Sequence, residues 1–168
     1  MKIVVPYTRL RRGVIDALVV HAKTFTLVNV AASDEAYFDL LANLWGAAKT
    51  FVLVEHDIVV NETTIDELKV CDHDWCAMGF PYRGEEKAYS LACTKFSAEL
   101  IRKYPDLMEI VGQMSDSMHD PMHWCRLDMW MFMVLDQLGE TRHEHARSQP
   151  VGHIGEQFPK HGCLIDAR

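Results

Sequence analysis

The chain has 168 residues, a hydrophobic share of 49% and a formal charge of −7, which suits one domain whose core needs no staple. The acidic balance argues against general affinity for a nucleic-acid backbone, which favours basic surfaces, and leaves Arg9, Arg11 and Arg12 as one local basic patch. No stretch approaches the roughly 18 uncharged apolar residues of a spanning helix, and the apolar run in MKIVVPYT is too short for a signal peptide.

Lys2–Pro6 is a β-branched run closed by proline and predicts a buried strand. Gly13–Ala22, apolar at 14, 15, 18 and 19, predicts a helix, and Phe25–Val30 a second strand. Ser33 or Asp34 is placed to cap a helix running to about Ala48, with Tyr37, Leu40, Leu41, Leu44 and Trp45 on one face. Phe51–Val54 is the third strand. This β-α-β-α-β order predicts a parallel sheet with right-handed crossovers. Further on, Thr63–Leu68 reads as a short capped helix, Trp75–Met78 and Ser90–Cys93 as strands, and Pro81–Glu86 between them as a turn. Phe96–Tyr104 is a helix with Ser97 as its cap, and His123–Leu138 is the clearest late helix, stopped by Gly139. Periodicity then fades, so residues 1–155 form the expected domain and 156–168 a loosely held tail.

The five cysteines are an odd number without a repeated Cys-x2-Cys pair, which predicts thiols in a reducing cytoplasm. Cys71-x4-Cys76, with His73 between, is half a zinc site, and His119-x3-His123 sets two ligands on one helical face; neither has a complementary half at a recognised spacing. Cys93 and Cys125 read as small buried apolar residues. P-loop, dinucleotide-binding and nucleophile-elbow signatures are missing from the sequence.

The most informative segment is Val52-Leu53-Val54-Glu55-His56-Asp57-Ile58-Val59. Two carboxylates follow the third strand, at the carboxyl edge where open α/β sheets form their ligand crevice. In an extended segment residues i and i+2 point the same way, so Glu55 and Asp57 are expected to converge. A divalent cation with phosphate oxygens would offset the cost of gathering them. The other reading is a strand end whose acids are solvated or ion-paired.

With Val4-Val5-Pro6-Tyr7-Thr8 ending the first strand and a later histidine after a helix bearing an acid, the chain resembles a GT-A type glycosyltransferase. The form is compact, such as phage and bacterial genomes encode. The resemblance spans roughly residues 3–155. It implies an α/β fold, a Rossmann-like, mostly parallel sheet flanked by helices, in truncated form with a reduced acceptor half. It also implies a nucleotide held by Pro6, Tyr7, Thr8, Arg11, Glu55 and His56, and Mn²⁺ or Mg²⁺ on Asp57 and His153. Glu55 departs from the usual Asp-x-Asp at its first position. Tyr7 either stacks on the base or packs under the sheet, and Arg11 and Arg12 either meet diphosphate oxygens or form a solvated pair. His143-x-His145 rivals His153 as additional metal ligand.

Asp128, among Leu127, Met129, Trp130 and Met131, is the candidate general base, its apolar neighbours raising its pKa; Asp120 is the alternative. The stripe Trp124, Met129, Trp130, Met133 reads as core before sugar platform. The expected activity is metal-dependent transfer of a sugar from a nucleotide diphosphate-sugar, UDP by resemblance, to an acceptor hydroxyl. The protein is expected in the cytoplasm, or in a host's cytoplasm if phage-encoded, without membrane insertion. The acceptor, the donor sugar, the oligomeric state and inversion against retention stay open; nucleic acid is disfavoured as a partner, with a modified DNA base left among the acceptors. The rivals are a metal-dependent nucleotidyltransferase or phosphohydrolase, and a non-catalytic zinc- or nucleotide-binding module.

Overall fold

A computed structural model describes residues 1–82, 85–88, 90–118, 126–145 and 152–153. Among them the elements run β1 (Lys2–Tyr7), α1 (Arg12–His21), β2 (Thr26–Asn29), α2 (Ala36–Gly46), β3 (Phe51–Val54), β4 (Ile58–Val59), α3 (Thr64–Val70), β5 (Trp75–Met78), β6 (Phe80–Tyr82), β7 (Glu85–Ala88), β8 (Cys93–Phe96), α4 (Ala98–Lys103), α5 (Leu107–Ser117), α6 (Leu127–Gln137), β9 (His143–His145) and β10 (Gly152–His153). Six strands form the main sheet in the order β2-β1-β3-β8-β5-β9. β1 pairs in parallel with β2 and β3, β8 runs antiparallel between β3 and β5, and β9 is parallel to β5. The fold is therefore the expected α/β, mostly parallel sheet flanked by helices.

Alternation along each strand divides two apolar layers. Val4, Phe51, Leu53, Trp75 and Phe96 face α2, α4, α5 and α6, with Trp45 and Trp130 buried in that layer. Ile3, Val5, Val52, Val54, Cys76 and Met78 face α1 and α3. Trp45 fits the first layer by directing its indole N–H to the Tyr104 carbonyl at 2.7 Å, a partner such a ring needs when buried.

Several boundaries depart from expectation. Ser33 and Asp34 do not cap α2, whose N-cap is Glu35 with no side-chain capping bond. At α3 the cap residue Thr63 gives no such bond either; the Asn61 carboxamide accepts from the Thr63 and Thr64 N–H groups, at 3.1 Å each. Ser97 does cap α4, its hydroxyl accepting from the Leu100 N–H. Ser90 belongs to a turn, where its hydroxyl accepts from the Ala92 N–H and its carbonyl from the Thr94 hydroxyl, so the strand begins only at Cys93. The chain reverses within the expected Pro81–Glu86, flanked by the paired strands β6 and β7, with Tyr82 opposite Glu85 and Phe80 opposite Ala88. Helix α5, buried through Leu107, Met108 and Val111, went unread. The late helix is described from Leu127 and ends before Gly139, whose φ of 81° is a left-handed value suited to glycine. The tail at 156–168 lies outside the described residues, as do His119, Asp120, His123, Trp124 and Cys125. No helix among the described residues is long and apolar enough to cross a membrane.

Candidate functional site

Strand β3 delivers Glu55 to the carboxyl edge of the sheet, and its parity with Phe51 and Leu53 turns it toward α2. There the Tyr37 hydroxyl donates to Glu55 Oε1 at 2.8 Å. The segment beyond is not extended, as the i, i+2 argument required. The Ile58 N–H donates to the Glu55 carbonyl at 3.1 Å, closing a turn over His56 and Asp57 before β4. The two acids nevertheless stay electrostatically coupled across that turn, and Asp128, in the first turn of α6, joins them.

This gathering of like charges has a cost that falls on Glu55. Burial first, then the Asp57 carboxylate, push its carboxyl up to about 8; the Tyr37 hydrogen bond opposes the rise and Asp128 adds to it. Burial, and then Glu55, raise the Tyr37 phenol well above its ordinary value. Asp128 is raised as well, chiefly by burial, against the pull of the Met129 N–H, its own N–H and the Arg142 guanidinium. Its Oδ1 accepts from Met129 N at 2.8 Å. Arg142 packs its guanidinium over the rings of Phe132 (4.6 Å) and Trp75 (5.6 Å) and donates to Glu144 at 2.7 Å.

β10 pairs antiparallel with β4, setting the His153 backbone opposite Ile58, one residue past Asp57. The expected partners Asp57 and His153 thus belong to adjoining backbone. At the end of β1, Pro6 is buried, Tyr7 partly buried and Thr8 exposed. Arg11 is the partly buried N-cap of α1, and His56 is partly buried in the turn. Arg12 is the first residue of that helix, its side chain 95% exposed and 3.7 Å from Asp16, which fits the solvated reading. Trp130 is core, and Met133, 40% exposed, lies outside it, so the stripe is no continuous platform.

A second group lies on the opposite face. Along one sheet row the register carries Ile3 to Val52, Lys95, Cys76 and His143, and Met78 lies opposite His145. His143 and His145 therefore project to the α3 side, where the helix ends at its C-cap Cys71. Ligand atoms of Cys71, His143 and His145 all lie within 4.8 Å of one another, and among the described residues no trio of acids gathers so closely. The buried Lys95 ammonium donates to the Cys71 carbonyl. The ring of His73 stacks on that of His143, centroids 4.1 Å apart. Burial, then His143, Lys95 and His73, lower the His145 pKa. The Cys76 thiol, also raised by burial first, is hydrogen-bonded to Cys71. Cys93 is fully buried and pushed up to about 12 by burial and then by Glu55, as an inert core thiol should be.

Two parts of this picture escaped the sequence. Tyr37 read only as one of five residues on an apolar face; a buried tyrosine's need for a hydroxyl partner was the available signal. The companions of Cys71 are His143 and His145, whose nearness to it becomes visible only through β5–β9 pairing. No protein-family model, curated protein or solved structure matches this chain.

Proposed function

We propose that the protein is a metal-dependent glycosyltransferase acting on a nucleotide diphosphate-sugar, with its site at the carboxyl edge beside β3. The observation that carries this reading is the gathering of Glu55, Asp57 and Asp128 there, where burial first and the neighbouring carboxylates second raise the Glu55 carboxyl to about 8. A cation would let these acids ionise side by side, and carboxylate oxygens suit Mg²⁺ or Mn²⁺. Asp57 is the first ligand in this reading; the backbone of the expected second, His153, pairs with Ile58 on the adjoining strand. When bound, the cation supplies charge neutralisation for a departing diphosphate.

The chain's own residues do the rest. Tyr37 holds Glu55 in place through its hydroxyl, leaving the other carboxylate oxygen of Glu55 for a ribose hydroxyl. Pro6, Tyr7 and Thr8, at the end of the neighbouring strand β1, form the wall for the base, with Arg11 beyond them toward the phosphates. Asp128, partly buried in the first turn of α6 beside these acids, takes the proton from the acceptor hydroxyl as its oxygen attacks the anomeric carbon and the diphosphate leaves. UDP is the expected nucleotide.

A thermal-shift panel of UDP-, GDP-, CMP- and dTDP-sugars, each with and without Mn²⁺, tests the reading. One UDP- or GDP-sugar is expected to raise the Tm only with metal, and Asp57→Ala to abolish the rise. Equal stabilisation in EDTA would refute it.

A further inference from the structure

We propose that Cys71, His143 and His145 form a second metal site, for a borderline-soft divalent ion of the Zn²⁺ class, which fastens strand β9 to the end of helix α3. Thiolate and imidazole are the donors Zn²⁺ selects. Here one sulfur and two imidazoles bring ligand atoms within 4.8 Å of one another. Tetrahedral coordination at roughly 2.0–2.3 Å from the ion needs donor separations only somewhat shorter, which small side-chain rotations supply. The inference does not depend on the glycosyltransferase reading, because the donors lie on the α3 face and the coupled acids on the α2 face.

His145 provides a second, independent indication. Its Nδ1 lies 3.8 Å from Glu67 Oε2, while Nε2 is buried with no hydrogen-bond partner. Metal-ligating histidines commonly turn one ring nitrogen to a carboxylate and the other to the ion; at His145 the carboxylate stands just beyond hydrogen-bonding distance of Nδ1, and Nε2 is the nitrogen placed for the ion. The Lys95 ammonium fixes the Cys71 carbonyl, and so the backbone that presents the sulfur. His73, stacked on His143, limits rotation of that ring. Three protein ligands leave a fourth position for water or an outside donor.

The test uses the full-length protein, reduced and freed of metal, then dialysed against Zn²⁺ and separately against Co²⁺. Expected are one Zn²⁺ per chain by elemental analysis, and a Co²⁺ form showing a sulfur-to-metal charge-transfer band with intense tetrahedral d–d bands. Cys71→Ser and His145→Ala should each weaken Zn²⁺ binding at least 100-fold. Glu67→Gln, which removes the carboxylate facing Nδ1 of His145, should weaken it less than either ligand change. Asp57→Ala, in the other cluster, should bind Zn²⁺ like the parent, so failure of one site is read separately from failure of the other. No retained Zn²⁺ in the parent protein, or a Co²⁺ spectrum without the sulfur band, would overturn the assignment. The latter needs no variant and so survives any misfolding of the substituted chains.

Discussion

The two polar clusters sit on opposite faces of one sheet and handle crowding differently. On the α2 side Glu55, Asp57 and Asp128 are coupled through space without closing to ligand-sharing distance, and Glu55 carries the strain as a carboxyl raised to about 8. On the α3 side a thiol and two imidazoles come within 4.8 Å of one another. Donors that are neutral when ion-free can pack closely; carboxylates repel and must either separate or keep their protons. A preformed arrangement is thus open to the nitrogen and sulfur set, and closed to the oxygen set while its acids stand without a counter-charge.

Three changes break or sharpen that contrast. The largest effect belongs to Asp128→Asn. It should lower sugar transfer by about 10²–10⁴-fold, the usual contribution of a positioned base, while the Mn²⁺-dependent donor shift in Tm persists. An unchanged rate in single-turnover assays would move the base elsewhere.

Next is the pH dependence that Glu55 imposes. Its folded-state pKa, about 8, lies above the ordinary value of 4.5, so the folded chain holds that proton more tightly than the unfolded one. The stability contributed is complete below pH 4.5 and is lost as pH rises through about 8, at up to about 1.4 kcal/mol per pH unit within that window. Urea titrations at several pH values should show this decline in the parent protein and a flatter profile in Glu55→Gln, which keeps an acceptor for Tyr37. Parallel profiles would mean that Glu55 is charged throughout.

Smallest is Tyr37→Phe. It removes one hydrogen bond, at a cost of about 1 kcal/mol, and with it the interaction that holds the Glu55 pKa down. The decline should therefore extend to higher pH than in the parent.

The first sixty residues were legible because their elements bury whole faces: Phe51–Val54 is buried at every position, and β1 from Ile3 to Pro6. The middle was not. In Phe80–Ala88 the pairing of two short strands decides the structure and leaves little periodic trace. Glu55-His56-Asp57 lies at the carboxyl edge of the sheet, as the residue order predicts, but the turn that holds it is closed by a backbone bond that residue identity does not announce. Cys71, His143 and His145 were each visible as ligand types, and their meeting depends on which strand neighbours β5, a tertiary fact. Asp128 was legible through its apolar neighbours, and burial is the first cause of its shift.

Strand β10 follows every member of the six-stranded sheet in chain order, yet lies against β4, next to Asp57. The backbone just past Asp57 is thus braced by a strand from far later in the chain, so the position of that acid answers to both ends of the fold.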